Sequence, residues 1–289
     1  MSTEQNTDLI KYTKIDQIGE GMFSEVFKIK ETETGQIYAA KILCKQLNVN
    51  LQDDLLRLSR EVNLNAGFDH PTVLKFIEYS PKNFENKPFP VIITEYAANG
   101  TLSRIIDLER QSLSGNIWTK TKKLINIYGI ASGMSYLHAN KIIHRDLKPD
   151  NILMDDMLFP KISDFGLSKR LHSDKSMTVE SRIGFKGTPR YAAPELFANK
   201  EQTEASDVYA FALIVYEILT AKIPYEEDEM LQLIMKVANG VRPPFDVPID
   251  EPYQNLIERC WSQDPKDRPT FAQIVEELEN DESFITKSI

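Results

Sequence analysis

The most constraining feature of this sequence is the nine-residue segment 144–152, which reads HRDLKPDNI. It places a carboxylate (Asp146), an ammonium group (Lys148) and a carboxamide (Asn151) on one short turn, and apolar residues follow at once. A second carboxylate, Asp164, stands thirteen residues beyond Asn151 in the tripeptide Asp-Phe-Gly. Carboxylate and amide oxygens are the ligands that Mg²⁺ prefers in proteins. The two positions could therefore meet the same metal ion.

The order and spacing of these motifs resemble the catalytic loop and the metal-binding loop of protein kinases. The alternative is a solvated His-Arg-Asp turn without chemistry, and the presence of both motifs together argues against it. The resemblance covers roughly residues 12–280 and implies an α+β, bilobal fold. Its N-terminal lobe (12–97) would hold a five-stranded antiparallel sheet and one helix, and its C-terminal lobe (98–280) would be mainly helical. Residues 1–11 and 281–289 are then a polar N-terminal segment and a C-terminal tail.

Composition places the chain among ordinary globular proteins, with 42% apolar and 27% charged residues in a length of 289. The formal net charge of -9 argues against nucleic acid as the main ligand. Cys44 and Cys260 lie too far apart in sequence to suggest a disulfide framework, so we expect reduced, buried thiols. The most apolar segment, 208–221, is too short to span a bilayer and contains Glu217, which indicates a buried helix. With no apolar signal segment at the N-terminus, these features predict a cytoplasmic protein without a membrane span.

Local patterns agree with a sheet-rich first part and a helical second part. Five β-rich runs predict strands at 12–18, 25–30, 37–43, 74–79 and 91–96. Residues 53–66 are predicted to form a helix, because their apolar residues share one face. A second helix is predicted just before the HRDLKPDNI segment, from the helical spacing of Leu124, Ile127, Ala131, Met134 and Leu137. Near the end of the chain, Thr270 and Gln273 form a capping box that opens a further helix.

A glycine-rich segment, Gly19-Glu20-Gly21-Met22-Phe23-Ser24, lies between the first two predicted strands. Two glycines in a hairpin by themselves indicate only a turn. Because the chain continues as a strand rather than a helix, the segment does not fit a Rossmann fingerprint. The backbone N–H groups of such a hairpin can lie close to phosphates. Ser24 replaces the third glycine of the kinase pattern, which is expected to make the loop stiffer.

The kinase resemblance implies a binding site for ATP. Lys41 would contact the α- and β-phosphates, and Glu61 on helix 53–66 would hold its ammonium group in place. Without the resemblance, these two charges would be unrelated surface residues. Val26, Ala39 and Leu153 would enclose the adenine, and Thr94 would be the gatekeeper. The residues implied to contact ATP are Ile18, Gly19, Gly21, Ser24, Val26, Ala39, Lys41, Thr94, Glu95, Ala97 and Leu153.

The resemblance also implies the chemical roles. Asp146 would accept the proton of the substrate hydroxyl, and Lys148 would offset charge on the γ-phosphoryl group during transfer. Asn151 and Asp164 would bind Mg²⁺, with Mn²⁺ as an alternative cation. The implied reaction is the transfer of the γ-phosphoryl group of ATP to Ser or Thr hydroxyls of protein substrates. Lys148-Pro149 is similar to the serine/threonine class, and Thr188 would bridge toward Asp146 and Lys148.

Three further residues are implied to be structural. Glu195 would pair with Arg268 in a buried ion pair, and Asp207 would cap the backbone of the catalytic loop. The segments 206–211 and 260–270 are similar to the tyrosine-kinase-like branch of serine/threonine kinases.

Arg145, directly before Asp146, predicts a switch by phosphorylation of the loop between Asp164 and Glu195. We expect Ser181 to be the first candidate site and Thr178 the second, because both stand shortly before Arg182 and Ile183. The phosphate would come from an upstream kinase or from autophosphorylation in trans. The alternative is that these hydroxyls merely belong to a flexible loop.

Two questions stay open from the sequence. Asn65 stands where the family has an apolar residue above Phe165, unless the alignment places Leu64 there. A buried amide without partners would disfavour the active placement of helix 53–66. Dual specificity that includes tyrosine, and a nucleotide-binding pseudokinase scaffold without turnover, are the alternative functions.

Overall fold

The structure is a computed structural model, and it describes residues 9–21, 24–43, 67–164, 169–170, 188–198 and 200–284. These residues belong to two compact units, the first ending at Ala98 and the second beginning at Asn99. Several predictions lie outside the described residues, namely helix 53–66 with Glu61, Leu64 and Asn65, and also Cys44, Phe165, Thr178 and Ser181.

The first unit contains a five-stranded sheet in the order β1-β2-β3-β5-β4, with every neighbouring pair antiparallel. Its strands are β1 (Tyr12–Glu20), β2 (Ser24–Glu31), β3 (Ile37–Leu43), β4 (Phe76–Ser80) and β5 (Val91–Glu95). The predicted five-stranded antiparallel sheet is confirmed.

Four of the five predicted strands differ by one or two residues at one end or both, and the two largest differences are in β1 and β4. β1 continues to Glu20, rather than ending at Ile18, because Glu20 still pairs with Glu25 across the hairpin. β4 begins at Phe76 rather than at residue 74. Lys75, the residue before Phe76, makes two hydrogen bonds to Glu95. Its backbone N–H donates to the Glu95 carboxylate at 2.8 Å, and its carbonyl accepts the Glu95 N–H at 3.0 Å.

The core of the first unit lies under this sheet and includes a residue that precedes it. The buried cluster consists of Leu9, Tyr12, Ile29, Ala40, Ile42, Val91 and Ile93. Leu9 belongs to the short 3₁₀ helix Leu9–Lys11 and is 7% exposed, although it stands outside the predicted domain limits. The Tyr12 hydroxyl donates to Glu78 at 2.7 Å, which ties β1 to β4 across the sheet.

The second unit is mainly helical, as predicted. Its described helices are α1 (Leu102–Arg110), α2 (Lys120–Ala139), α3 (Pro194–Phe197), α4 (Glu204–Thr220), α5 (Met230–Ala238), α6 (Glu251–Cys260) and α7 (Phe271–Asn280). Its short strands are β6 (Ile142–Ile143), β7 (Ile152–Met154), β8 (Pro160–Ile162) and β9 (Lys169–Arg170). β6 pairs with β9, and β7 pairs with β8.

Helix α4 is buried along most of its length and is the predicted helix 208–221. It begins earlier, at Glu204, because the Ser206 hydroxyl accepts the N–H of Thr203 at 3.1 Å and caps the first turn. It ends at Thr220, where Ala221 turns into the left-handed region with φ 55°. Among the described residues, no helix is both long enough and apolar enough to cross a membrane.

The C-terminal part of the second unit packs beyond its last long helix. The 3₁₀ helix Glu282–Phe284 buries the ring of Phe284 edge-to-face against Tyr253, with ring centroids 4.8 Å apart. The Tyr253 hydroxyl also donates to the Phe284 carbonyl at 3.1 Å. The predicted tail 281–289 thus contains a residue, Phe284, that is part of the packing.

Candidate active site

Both oxygens of the Asp146 carboxylate are held by neighbouring side chains. Asn151 donates its amide Nδ2 to Oδ2 at 3.0 Å and to the Asp146 carbonyl at 2.7 Å. The Lys148 ammonium lies 3.2 Å from the same Oδ2. Thr188 donates to Oδ1 from its backbone N–H at 2.9 Å and from its hydroxyl at 3.0 Å. Four groups, from the turn and from the loop at residue 188, therefore fix the direction of this carboxylate.

The Thr188 hydroxyl reveals what this arrangement can bind. Its oxygen accepts a hydrogen bond from Lys148 Nζ at 2.7 Å while its proton points to Asp146 Oδ1. A base and a cation thus meet one alcohol from opposite sides. This is the environment that the hydroxyl of a serine or threonine needs in order to lose a proton.

The backbone of the turn is anchored by Asp207 on helix α4. Asp207 is 1% exposed, and its carboxylate accepts the N–H of His144 at 2.8 Å and that of Arg145 at 2.9 Å. His138 Nε2 lies 2.9 Å from the same carboxylate. Arg145 has a left-handed backbone with φ 74°, a conformation that non-glycine residues adopt at a cost. Asp207 compensates for this cost at the residue directly before Asp146.

His144 has a packing role. Its ring is fully buried, and Nε2 lies 3.0 Å from the Ser163 carbonyl. The N–H of Asp146 points to the other ring nitrogen at 3.3 Å. The ring therefore joins the turn to the segment that leads to Asp164.

The residues proposed for metal binding are brought together by the β7–β8 hairpin. Ser163 donates both its N–H and its hydroxyl to the Asn151 carbonyl, each at 2.9 Å, and Asp164 follows directly. Because the Asn151 Nδ2 is engaged by Asp146, its Oδ1 is the side-chain atom left for a cation. The exposed Asp164 contributes a second hard oxygen donor. This donor set fits a divalent cation that prefers oxygen.

Four of the predicted ATP contacts of the first unit share one face of its sheet. Val26 pairs with Lys41, and Ala39 pairs with Thr94, in the registers of β2–β3 and β3–β5. Residues opposite each other, and residues two apart in a strand, point to the same side. These four side chains therefore lie on one surface.

The remaining predicted ATP contacts lie near the ends of strands β1, β2 and β5 or in the second unit. Ile18 and Gly19 belong to β1, and the N–H of Gly21 closes the hairpin on the Ser24 carbonyl at 2.7 Å. The Glu95 carboxylate is occupied by the Lys75 backbone. Ala97 follows β5. Leu153 belongs to β7 in the second unit, where it is half-buried and bridges to Thr101.

The ion pair between Glu195 and Arg268 is present and buried. The guanidinium group contacts both carboxylate oxygens, with Nη1–Oε1 at 2.9 Å and Nη2–Oε2 at 2.8 Å. Its Nη1 also donates to the Ala205 carbonyl, and the Ser206 hydroxyl donates to Glu195 at 3.0 Å. The pair thus fastens the start of helix α4.

Two residues near the turn were not singled out by the sequence. Gln202 donates its amide to the Arg145 carbonyl at 2.8 Å, a contact that no local sequence pattern announces. Glu217 accepts a hydrogen bond from the Tyr191 hydroxyl at 2.5 Å, and burial raises its pKa to about 8. The charge of Asp150 raises this pKa further, whereas the hydrogen bond from Tyr191 lowers it. A carboxylate inside an apolar run was the available signal for Glu217.

Comparison with known proteins identifies the fold family. Residues 12–278 match the family model of the protein kinase domain. The chain is 36% identical over 277 residues to the probable serine/threonine-protein kinase drkC of Dictyostelium discoideum, covering 94% of this chain and 35% of that protein. Its identity to the serine/threonine-protein kinase VIK of Arabidopsis thaliana is 34% over 278 residues, covering 93% and 60%. Its identity to the serine/threonine-protein kinase Nek1 of Mus musculus is 30% over 281 residues, covering 96% and 22%. This chain therefore spans less than two thirds of the length of each of these relatives.

Proposed function

This chain belongs to the protein kinase family, and we propose that it transfers the γ-phosphoryl group of ATP to Ser and Thr hydroxyls of protein substrates. The observation that carries the proposal is the Thr188 hydroxyl held between Asp146 Oδ1 and Lys148 Nζ. A carboxylate and an ammonium group on one turn can bind a second alcohol of the same kind. The serine/threonine-protein kinases among the relatives support the same acceptor type.

In the proposed mechanism, Asp146 orients the acceptor hydroxyl and takes its proton, and Lys148 offsets negative charge on the phosphoryl group. Asn151 and Asp164 would hold Mg²⁺, which supplies charge compensation for the phosphates when bound. Asn151 has a second task, because its amide fixes Asp146. Lys41, with Glu61, would bind the α- and β-phosphates.

The test is phosphate transfer from ATP to a mixture of acceptor proteins, with Asp146→Asn as the altered variant. Loss of the base should lower turnover by about 10³-fold or more, because a positioned base contributes about 10²–10⁴-fold. Asp156→Asn, an exposed carboxylate in the β7–β8 turn, is the matched control and should keep the parent rate. Equal transfer by the parent and Asp146→Asn would refute the assignment, and no transfer by the parent would favour a nucleotide-binding scaffold. Phosphoamino-acid analysis of the product separates serine/threonine from dual specificity.

Regulation by phosphorylation is a second part of the proposal. A phosphate at Ser181 or Thr178 would be paired by Arg145, either after an upstream kinase acts or after autophosphorylation in trans. The support is the position of Arg145, whose backbone conformation is coupled to that of Asp146. Alanine at both hydroxyl positions should lower activity. Unchanged turnover of that double variant, with loop phosphate established on the parent by mass spectrometry, would contradict the switch.

We further propose a cytoplasmic location, a place in the tyrosine-kinase-like branch and a kinase domain over residues 12–280. The branch rests on the segments 206–211 and 260–270. The location rests on the composition and on the two cysteines, of which Cys260 is a free, fully buried thiol.

A further inference from the structure

The backbone N–H and carbonyl of Arg145 are each held by a side chain, the first by Asp207 of helix α4 and the second by Gln202, just before that helix. The Arg145 N–H donates to Asp207 Oδ1 at 2.9 Å, and its carbonyl accepts a hydrogen bond from Gln202 Nε2 at 2.8 Å. Arg145 has φ 74°, so its carbonyl points in a direction that an ordinary extended or helical residue would not give. The next residue in the chain is Asp146. The direction of the Arg145 carbonyl therefore sets the plane of the peptide that leads into the proposed base.

Gln202 is itself placed by a rigid framework. It stands directly before Thr203, whose N–H donates to the Ser206 hydroxyl in the helix cap. That hydroxyl donates onward to Glu195, which is paired with Arg268. A chain of hydrogen bonds thus leads from the buried ion pair to the backbone N–H of Thr203, the residue next to Gln202. A side chain on such a support can hold its partner within a narrow range of positions.

From this geometry we propose that Gln202 is a positioning residue for the catalytic turn, acting through the Arg145 carbonyl on Asp146. The inference rests on the proposed kinase function, because positioning matters only if Asp146 is the base. It goes beyond the anchoring by Asp207, since Asp207 holds the peptide group before Arg145 and Gln202 holds the peptide group after it. Truncation of Gln202 would remove the hydrogen bond to the Arg145 carbonyl and leave only the one from the Arg145 N–H to Asp207.

A small, partly open pocket beside this contact indicates how a truncated variant would respond. Its lining includes Arg145, Thr188, Tyr191, Gln202 and Asp207. Gln202 is partly exposed, so water can reach the Arg145 carbonyl once the amide is gone. The carbonyl would then remain hydrogen-bonded, but to a mobile partner. Fold stability should change little, whereas the position of the peptide should become less defined.

The first experiment measures this position without relying on activity. Amide hydrogen exchange of residues 142–150 is compared in the parent, Gln202→Ala and the matched control Gln263→Ala. Gln263 also donates its amide to a backbone carbonyl, that of Ala238, at 3.1 Å. We expect the Arg145 and Asp146 amides to exchange about tenfold faster in Gln202→Ala and at the parent rate in Gln263→Ala. Unchanged exchange in Gln202→Ala would overturn the inference, whether or not the protein transfers phosphate.

The second experiment separates positioning from binding. In peptide phosphorylation, kcat of Gln202→Ala should fall about tenfold while KM for ATP and for peptide stays within about twofold. Gln202→Glu keeps the size of the side chain but has no N–H to donate when ionised, so its kcat should fall at least as far. A Gln202→Glu variant with parental kcat would overturn the inference, as would equal losses in Gln202→Ala and Gln263→Ala.

The two experiments also keep this inference apart from the proposed function. Faster exchange in Gln202→Ala together with a parent that transfers no phosphate would refute the kinase activity and support the contact. Phosphate transfer that depends on Asp146 but is indifferent to Gln202 would refute the inference alone.

Discussion

Two carboxylates on helix α4, ten residues apart, are buried to nearly the same extent but accept very different numbers of hydrogen bonds. Asp207 is 1% exposed and meets three N–H groups, from His138, His144 and Arg145. Glu217 is 4% exposed, and the only hydrogen bond found to its carboxylate within the described residues comes from the Tyr191 hydroxyl. Burial alone therefore does not define the state of an acid. The number of donors around it decides whether charge can remain there.

The consequence for each end of the helix is different. Asp207 replaces water with three fixed donors and so acts as an anchor for the catalytic turn. Glu217 has a pKa of about 8, chiefly because burial disfavours its charged form, with the Asp150 charge adding to this. The guanidinium groups of Arg110 and Arg190 act in the opposite direction. Glu217 therefore carries a proton near pH 7, whereas the unfolded chain would have released it.

The largest predicted effect comes from replacing Asp207, the carboxylate that three donors surround. In Asp207→Asn, the new amide NH₂ must face either the Arg145 N–H or the pair formed by His138 and the His144 N–H. A donor then opposes a donor in a buried place, which costs about 3 kcal/mol in the free energy of unfolding. The catalytic turn should loosen as well, and phosphate transfer should fall by about 100-fold. Urea unfolding and peptide phosphorylation measure the two effects.

The control for this prediction is Asp246→Asn, an equivalent change in an exposed ion pair with Lys222. It should alter neither stability nor turnover noticeably. If Asp207→Asn behaved like this surface variant, the number of hydrogen-bond donors would not explain the difference between Asp207 and Glu217.

An intermediate effect is expected from replacing Glu217, and it should depend on pH. Because the folded-state pKa of Glu217 lies above its ordinary value of 4.5, folding retains a proton that the unfolded chain loses. The parent therefore loses about 1.4 kcal/mol of stability per pH unit as the pH rises from 4.5 to 8. Glu217→Gln has no such proton and keeps an acceptor for Tyr191. Its free energy of unfolding should exceed that of the parent by roughly 3 kcal/mol at pH 7 and match it near pH 4.5.

Glu226→Gln provides the comparison, since this carboxylate is 56% exposed. The same unfolding measurements on Glu226→Gln give the pH profile of this substitution at an exposed carboxylate. A pH-independent difference for Glu217→Gln would mean that Glu217 is ionised throughout, and the contrast with Asp207 would disappear.

The sequence predicted the role of Asp207 but not the environment of Glu217. Asp207 could be assigned because it lies in segment 206–211, which resembles the kinase pattern, and the resemblance implied its role. Glu217 was noted only as a charge inside an apolar run. Its partner Tyr191 lies 26 residues away, and only the folded chain brings the two together. The state of a buried acid depends on donors that local sequence does not specify.

A similar limit applies to the fold and the rest of the site. Alternation and helical spacing gave the five strands of the sheet and the helices α2, α4 and α7 to within a few residues, because those patterns reflect which face is buried. They missed Leu9, which is apolar but lies in a polar segment, and its burial depends on the whole sheet. They also missed Gln202, because its contact requires the left-handed backbone of Arg145, which no propensity of arginine predicts.

The smallest effect should come from the single donor at Glu217. Tyr191→Phe removes a hydrogen bond that lowers the pKa of Glu217, so that pKa should rise above 8. The parent stops losing stability through this group as the pH rises past 8, whereas the variant should continue to lose it. The deficit of the variant should therefore be small at pH 7 and grow to about 1 kcal/mol at pH 9, which is still below the range in which free tyrosine ionises. Tyr253→Phe is the matched control, because it removes a hydroxyl that donates to the Phe284 carbonyl and not to an acid. Its deficit should be the same at both pH values in urea unfolding. Parallel behaviour of the two variants would show that the Tyr191 hydroxyl does not stabilise the charge on Glu217.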